Sequence, residues 1–192
     1  NGVSVISVAV CETPAGKYEY YGDVHYADGT PLGSRDGDEY QFDPGVLTEG
    51  EITWLYSGFC PPLLTVRSGA QAIKLDKDML TILEDPVIVV PSASKAKGTS
   101  FEGHAFFEAS SIRKVKNKYY FIYSSELSHE LCYAVSDAPN HPFVYGGTVV
   151  DNGDLGISEK AKYFTGNNHG SIEIGMCFII VIPTAPCTAD RV

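Results

Sequence analysis

The chain has 192 residues, of which 14 are Lys or Arg and 24 are Asp or Glu, so its formal net charge is −10. This excess of negative charge repels nucleic acid and anionic membrane surfaces, so neither is an expected partner. Hydrophobic residues make up 44% and aromatic residues 11% of the chain, which excludes an intrinsically disordered protein. The longest apolar run, 174–182, is far shorter than the roughly 20 residues that cross a bilayer, so we expect one folded domain and no membrane span.

The predicted elements are nearly all strands. Short segments rich in Val, Ile, Tyr and Phe alternate with clusters of Gly, Pro, Asn and Asp along the chain. This pattern is typical of antiparallel strands, and it predicts an all-β protein with at most one-turn helices. The predicted strands, in chain order, are 3–10, 18–24, 45–47, 52–57, 81–90, 111–115, 119–124, 132–136, 144–149 and 171–174.

The strands repeat along the chain. Residues 9–24 match residues 134–149 at ten identical or conservatively changed positions without a gap, and residues 53–57 resemble residues 120–124. A polar residue also precedes a short strand three times, at Asp43, Glu108 and His169. A repeat of about 62 residues with four strands indicates the blade of a β-propeller, and the chain holds about three such units. The alternative is a β-sandwich in which two turns are similar by chance.

The repeat also predicts a functional site. Inner strands of successive blades converge on the propeller axis, so we expect Asp43, Glu108 and His169 to face one central pocket. Two carboxyl groups in a polar cleft can hydrolyse a glycosidic bond, since one protonates the leaving oxygen and the other activates water or attacks the sugar. Composition alone is equally compatible with solvated acidic groups and with an ordinary Asp-Pro turn.

Four motifs in this order carry a resemblance to a known family. They are QFDPGVL at 41–47, FEASSIRK at 107–114 followed by YYFIYS at 119–124, LCYAVS at 131–136, and GNNHGSI at 166–172. Together they closely resemble glycoside hydrolase family 43, whose members are five-bladed β-propeller enzymes and include β-xylosidases and α-L-arabinofuranosidases. The resemblance extends to about Ile174 and implies a five-bladed propeller, of which this chain contains about three blades.

The resemblance implies roles for individual residues. Glu108 would be the general acid, and Asp43 the carboxylate that keeps its pKa high and orients it. His169 resembles the family's central histidine, which binds substrate or lies beside calcium or another ion; a hydrogen-bonded core histidine is the alternative. Glu102 is the rival for the acid and is predicted to bind substrate. Phe42 is predicted to bind substrate as an apolar wall for a sugar ring, and packing in the core is the alternative that its residue type favours. No cofactor is expected to be required.

Both ends of the sequence depart from the family pattern. The family's general base is an Asp that would lie upstream of Asn1, and the chain lacks an initiator Met, so we expect a truncated and nearly inactive fragment. After the HGSI motif, relatives continue with a strand resembling WYVFYHR. Suitable codons for residues 174–183 restore this motif in a frame displaced by two bases. We therefore predict a partial propeller domain at 1–173 and a frameshifted, non-native tail at 174–192.

The predicted function is that of an inverting glycosidase acting on xylose- or arabinose-containing oligosaccharides or plant polysaccharide fragments, with carbohydrate as the partner. The alternative is a non-catalytic propeller fragment that binds carbohydrate or another protein. The five cysteines are an odd number without CxxC spacing, which favours reduced thiols and a cytoplasmic location.

Overall fold

The computed structural model describes residues 4–61, 64–127, 130–151 and 168–172. Within these ranges it contains strands and turns but no helix, so the all-β prediction is confirmed, and no described helix could span a membrane. The strands are β1 (Ser7–Val10), β2 (Glu19–Asp23), β3 (Gly45–Glu49), β4 (Ile52–Ser57), β5 (Gly69–Leu75), β6 (Val87–Pro91), β7 (Phe106–Val115), β8 (Lys118–Ser125), β9 (Glu130–Ser136) and β10 (Val144–Asp151).

The strands form two four-stranded sheets and one hairpin. The sheets have the orders β3-β4-β5-β6 and β7-β8-β9-β10, in which every strand pairs antiparallel with its neighbour in the chain. Such a meander is the unit of a β-propeller blade. The hairpin consists of β1 and β2.

The repeat at an offset of 125 residues reappears in the pairing register. Val8 lies opposite Gly22, and the residues 125 positions later, Tyr133 and Gly147, also lie opposite each other. The register then shifts by one residue at the same place in both pairs. The hairpin β1–β2 therefore corresponds to the third and fourth strands of a blade.

The strand predictions differ from the structure at three places. The sequence pattern missed β5, because its Gly, Ala, Gln and Lys residues have low β propensity; burial at the centre of a sheet outweighs that preference. The strand predicted at 81–90 begins only at Val87, because Pro86 lacks an N–H group for the ladder. The strand predicted at 171–174 is not formed at 171–172, and its remainder lies outside the described residues.

The aromatic core lies between the two four-stranded sheets. It includes the fully buried rings of Tyr56, Phe106, Phe121 and Tyr123, and a smaller aliphatic core packs the first of these sheets against the hairpin. Burial of an apolar side chain of this size stabilises a fold by about 1.5–3 kcal/mol. Residues between successive sheets thus hold the blades together.

The starts of the inner strands β3 and β7 lie close together. A Cβ atom on Gly45 would lie 2.6 Å from the carbonyl oxygen of Ser110, so the backbones can approach in this way only with glycine at position 45. This contact brings Asp43, which precedes β3, towards Glu108, which lies near the start of β7.

Cys11, Cys60 and Cys132 are free thiols, as the odd cysteine count predicts, whereas Cys177 and Cys187 lie outside the described residues. The cytoplasmic location stays a prediction. The predicted boundary at residue 173 and the frameshift of 174–192 also fall outside the described residues and stay predictions.

Candidate active site

Three of the predicted site residues come together where the inner strands begin. One side-chain oxygen or nitrogen atom of each of Asp43, Glu108 and His169 lies within 4.8 Å of the other two. The His169 Nε2 atom is 3.6 Å from Asp43 Oδ2. The three residues are more than 60 positions apart in the sequence, so only the arrangement of the blades creates this cluster.

Irregular backbone geometry positions the two carboxyl groups. Asp43 has a φ angle of 45° and Ala109 one of 65°, values that non-glycine residues rarely adopt and that cost about 1–3 kcal/mol each. The pairing of β7 with β8 also shifts register on both sides of Glu108. Such bulges redirect side chains, and here the N–H group of Ala109 donates a hydrogen bond to the Asp43 carboxylate.

The environment of Glu108 favours its protonated form. The side chain is buried, and its Oε1 atom has no hydrogen-bond partner among the described residues. Burial first, and then the negative charge of Asp43, raise the pKa of Glu108 to about 7. The carboxyl group therefore keeps its proton up to near-neutral pH, as a general acid requires.

Asp43 experiences opposing influences. Burial has the largest effect and raises the pKa of Asp43 above its ordinary value, whereas the charge of His169 and the hydrogen bond from the Ala109 N–H group only partly offset this rise. Two groups that contact Asp43 therefore favour its anionic form, and a negative charge on Asp43 opposes ionisation of Glu108. The pair is arranged so that one carboxyl group is neutral while the other is charged.

The cluster is a poor match for calcium. Calcium takes about six to eight oxygen ligands, whereas the three side chains offer two carboxyl groups and one imidazole nitrogen. One of these carboxyl groups, that of Glu108, also holds a proton up to a pH of about 7. The described residues therefore do not supply a calcium shell.

Comparison with known proteins identifies the family. No family model matches the sequence. The chain is 61% identical over 175 residues to a xylosidase/arabinosidase from Thermoclostridium stercorarium, covering 88% of this chain and 37% of that protein. Among solved structures, an α-L-arabinofuranosidase (CtGH43) from Clostridium thermocellum has a TM-score of 0.62 at 25% identity, covering 90% of this chain and 51% of that one. The chain belongs to glycoside hydrolase family 43.

The fold agrees with other members of family 43. A β-xylosidase/α-arabinofuranosidase of the family from a compost microbial metagenome, solved with xylotriose in a calcium-free form, has a TM-score of 0.60 at 22% identity. The match covers 88% of this chain and 53% of that one. The five-bladed propeller prediction is thus confirmed, and the β-sandwich alternative was wrong. The chain spans between about a third and a half of the length of these family 43 proteins.

Aromatic rings line the backbone next to both carboxyl groups of this family 43 chain. Phe42 precedes Asp43 and Phe107 precedes Glu108, and the ring of Phe59 lies between them, at 5.1 Å from Phe42 and 5.5 Å from Phe107. The Phe42 ring is 46% exposed, which leaves part of it free to contact a ligand. Sequence reasoning missed Phe59, because no repeat or motif marks it and only the fold brings it between the other two rings.

Glu102 is placed apart from the cluster of Asp43, Glu108 and His169. It lies on the exposed loop before β7, where its Oε2 atom accepts a hydrogen bond of 3.0 Å from the Gly98 N–H group. The structure thus gives Glu102 a partner in its own loop, whereas it gives Glu108 a buried position beside Asp43. The predicted contact of Glu102 with substrate stays a prediction.

The coupling of the two carboxyl groups predicts a pH effect. In an Asp43→Asn variant the charge that raises the pKa of Glu108 is gone, so that pKa falls. With Glu108 as the predicted general acid, which is active only while protonated, the decline of kcat/KM at high pH should begin at a lower pH. At pH values above both declines, kcat/KM of the variant should be about tenfold lower than that of the parent for each pH unit by which the pKa of Glu108 falls.

The measurement is a profile of kcat/KM against pH for the full-length gene product and its variant. Asp137→Asn is the matched control, because Asp137 is an exposed carboxylate paired with Lys118. The control should leave the profile unchanged. A profile that does not move in Asp43→Asn would contradict the coupling.

Proposed function

We propose that the protein containing this chain is an inverting glycoside hydrolase that releases xylose or arabinose from oligosaccharides or plant polysaccharide fragments. The observation that carries this proposal is the buried carboxyl group of Glu108, with a pKa of about 7, beside a second carboxyl group. The names of the relatives support the choice of pentose substrates. Carbohydrate is accordingly the proposed partner.

Glu108 donates its proton to the oxygen of the departing sugar or alcohol. As the glycosidic bond breaks, negative charge develops on that oxygen, and the proton neutralises it. Asp43 is too close to serve as the water-activating base: their atoms approach within 4.8 Å, whereas an inverting acid and base are about 6.5–9.5 Å apart. Asp43 instead sets the pKa of Glu108, and the base comes from outside this cluster.

The remaining predicted residues have supporting roles. The exposed part of the Phe42 ring offers an apolar face for a sugar ring. His169, whose side chain is 46% exposed, offers a ring nitrogen to a sugar hydroxyl while its charge favours ionised Asp43. Glu102 contacts a more distant part of the substrate. The reaction uses no cofactor, and an ion beside His169 would depend mainly on water for its ligands.

The test is hydrolysis of an aryl β-xyloside and an aryl α-L-arabinofuranoside by the full-length gene product. Proton NMR during the reaction should show that the first sugar released has the inverted anomeric configuration. Retained configuration would contradict the assignment of Asp43 as the group that tunes Glu108. No turnover of either glycoside by the folded protein would contradict the enzyme proposal and favour a carbohydrate-binding role.

A further inference from the structure

A second cluster of polar side chains lies in the blade formed by β7–β10, apart from Asp43, Glu108 and His169. It consists of His104 on the loop before β7 and of Glu130 and Cys132 on β9, and one ligand atom from each lies within 4.8 Å of the other two. Glu130 and Cys132 are two positions apart on a strand, so both side chains project from the same face of the sheet.

The distances in this cluster resemble those between ligands of one metal ion. His104 Nδ1 is 2.9 Å and Cys132 Sγ is 3.7 Å from the same atom, Glu130 Oε2. Zinc binds nitrogen, oxygen and sulfur at about 2.0–2.3 Å, which places neighbouring ligands of a tetrahedral site about 3.3–3.7 Å apart. The two separations from Glu130 Oε2 are thus within a few tenths of an ångström of those in a zinc site, and the ligand atoms of His104 and Cys132 lie within 4.8 Å of each other.

We propose that His104, Glu130 and Cys132 bind a single divalent transition-metal ion of the zinc class. Imidazole, carboxylate and thiolate are the ligands that zinc takes in proteins, whereas calcium prefers oxygen alone. A water molecule or the nearby Thr148 hydroxyl completes the tetrahedron. This site is independent of the proposed glycosidase function.

Surrounding groups orient the ligands. Ser125 Oγ donates a hydrogen bond of 2.8 Å to Glu130 Oε2, and Thr148 Oγ1 donates one of 3.2 Å to Glu130 Oε1. The ring of Tyr145 stacks on the imidazole of His104, with centroids 4.6 Å apart and an interplanar angle of 6°. Such partners of metal ligands fix their orientation and raise affinity about 10–100-fold.

Access and proton release are also consistent with an ion. The His104 side chain is 34% exposed and gives a path from solvent, whereas Glu130 and Cys132 are buried. The ion forms a bond to sulfur as the S–H bond breaks, and the proton leaves to solvent.

The other four-stranded sheet shows that the blade itself does not require these residues. Cys132 lies opposite Tyr123, and Ala72 lies opposite Tyr56, which matches Tyr123 in the repeat, so Glu130 and Cys132 correspond to Ala70 and Ala72. The offset of 65 residues between Asp43 and Glu108 makes Glu39 the counterpart of His104. That set contains one carboxylate and no imidazole or thiol. The zinc-type set is therefore particular to one blade.

The test is titration of the 192-residue chain with Co²⁺, whose thiolate complexes give a sulfur-to-cobalt charge-transfer band and whose tetrahedral sites give visible bands. One equivalent should produce both bands, release a proton per ion bound and be displaced by Zn²⁺. The charge-transfer band should disappear in Cys132→Ser and persist in the matched control Cys60→Ser. Thr148→Val should bind at least about tenfold more weakly.

Each variant must be shown to be folded. Near-ultraviolet circular dichroism of each variant without metal measures this. His104→Gln and Glu130→Gln should each lose the visible bands while keeping that spectrum. Absence of a charge-transfer band in the unmodified chain, or a band that persists in Cys132→Ser, would overturn the proposal. The cluster would then be a hydrogen-bonded clamp between the loop and β9.

Discussion

A Glu108→Gln variant of the full-length gene product should lose about 10²–10⁴-fold in kcat on an oligosaccharide, because glutamine cannot donate the proton that the leaving oxygen needs. Loss should be much smaller on a dinitrophenyl glycoside, whose leaving group departs without protonation. The measurement is kcat on both substrates. Equal losses on the two substrates would contradict a role as general acid.

The same substitution should stabilise the fold at high pH. The pKa of Glu108 lies at about 7 instead of its ordinary 4.5, so ionisation of this buried group costs free energy only in the folded state. That cost is absent below pH 4.5, grows as pH rises and is complete above pH 7. Each pH unit between 4.5 and 7 contributes about 1.4 kcal/mol. The free energy of unfolding of the Glu108→Gln variant should therefore exceed that of the parent by at most roughly 3 kcal/mol above pH 7.

Urea unfolding of the 192-residue chain at pH 4 and pH 8 measures this difference. Glu102→Gln is the matched control, since Glu102 is an exposed glutamate on a loop, and it should show no such gain at pH 8. An activity loss in a variant that is more stable than the parent cannot come from unfolding. A Glu108→Gln variant that is destabilised at pH 8 would contradict the buried, protonated state of Glu108.

A Phe121→Ala variant should destabilise the chain by about 3–5 kcal/mol. The Phe121 ring is fully buried between the sheets and contacts the rings of Tyr56, Phe106, Tyr123 and Phe143 at centroid distances of 5.6–6.1 Å. Truncation removes these contacts and leaves a cavity that rings from two sheets cannot easily fill. The measurement is the shift of the urea midpoint.

Tyr20→Ala is the control for this prediction, because the Tyr20 side chain is 70% exposed on β2. Its unfolding midpoint should stay close to that of the parent. A small shift in Phe121→Ala would mean that the aromatic cluster does not hold the two sheets together. It would also remove the reason to expect a fixed geometry between β3 and β7.

The sequence by itself determined the architecture and the identity of the central residues. Alternating apolar segments predicted the strands, and the repeat predicted that Asp43, Glu108 and His169 lie at equivalent places in successive units. Both signals are periodic, so they can be read along the chain without knowing how distant segments pack. The strand predictions failed at β5, where burial at the centre of a sheet outweighs low β propensity. They also failed where Pro86 interrupts a run of β-forming residues.

Only the tertiary structure decided which groups act on each other. The pKa of Glu108 depends on burial and on Asp43, which is 65 positions away in the sequence and is brought near by the close approach of β3 and β7 at Gly45. The position of Phe59 between two rings and the meeting of His104 with Cys132 are likewise invisible in sequence spacing. Electrostatic and packing energies depend on distances of a few ångströms, and chain folding alone sets those distances.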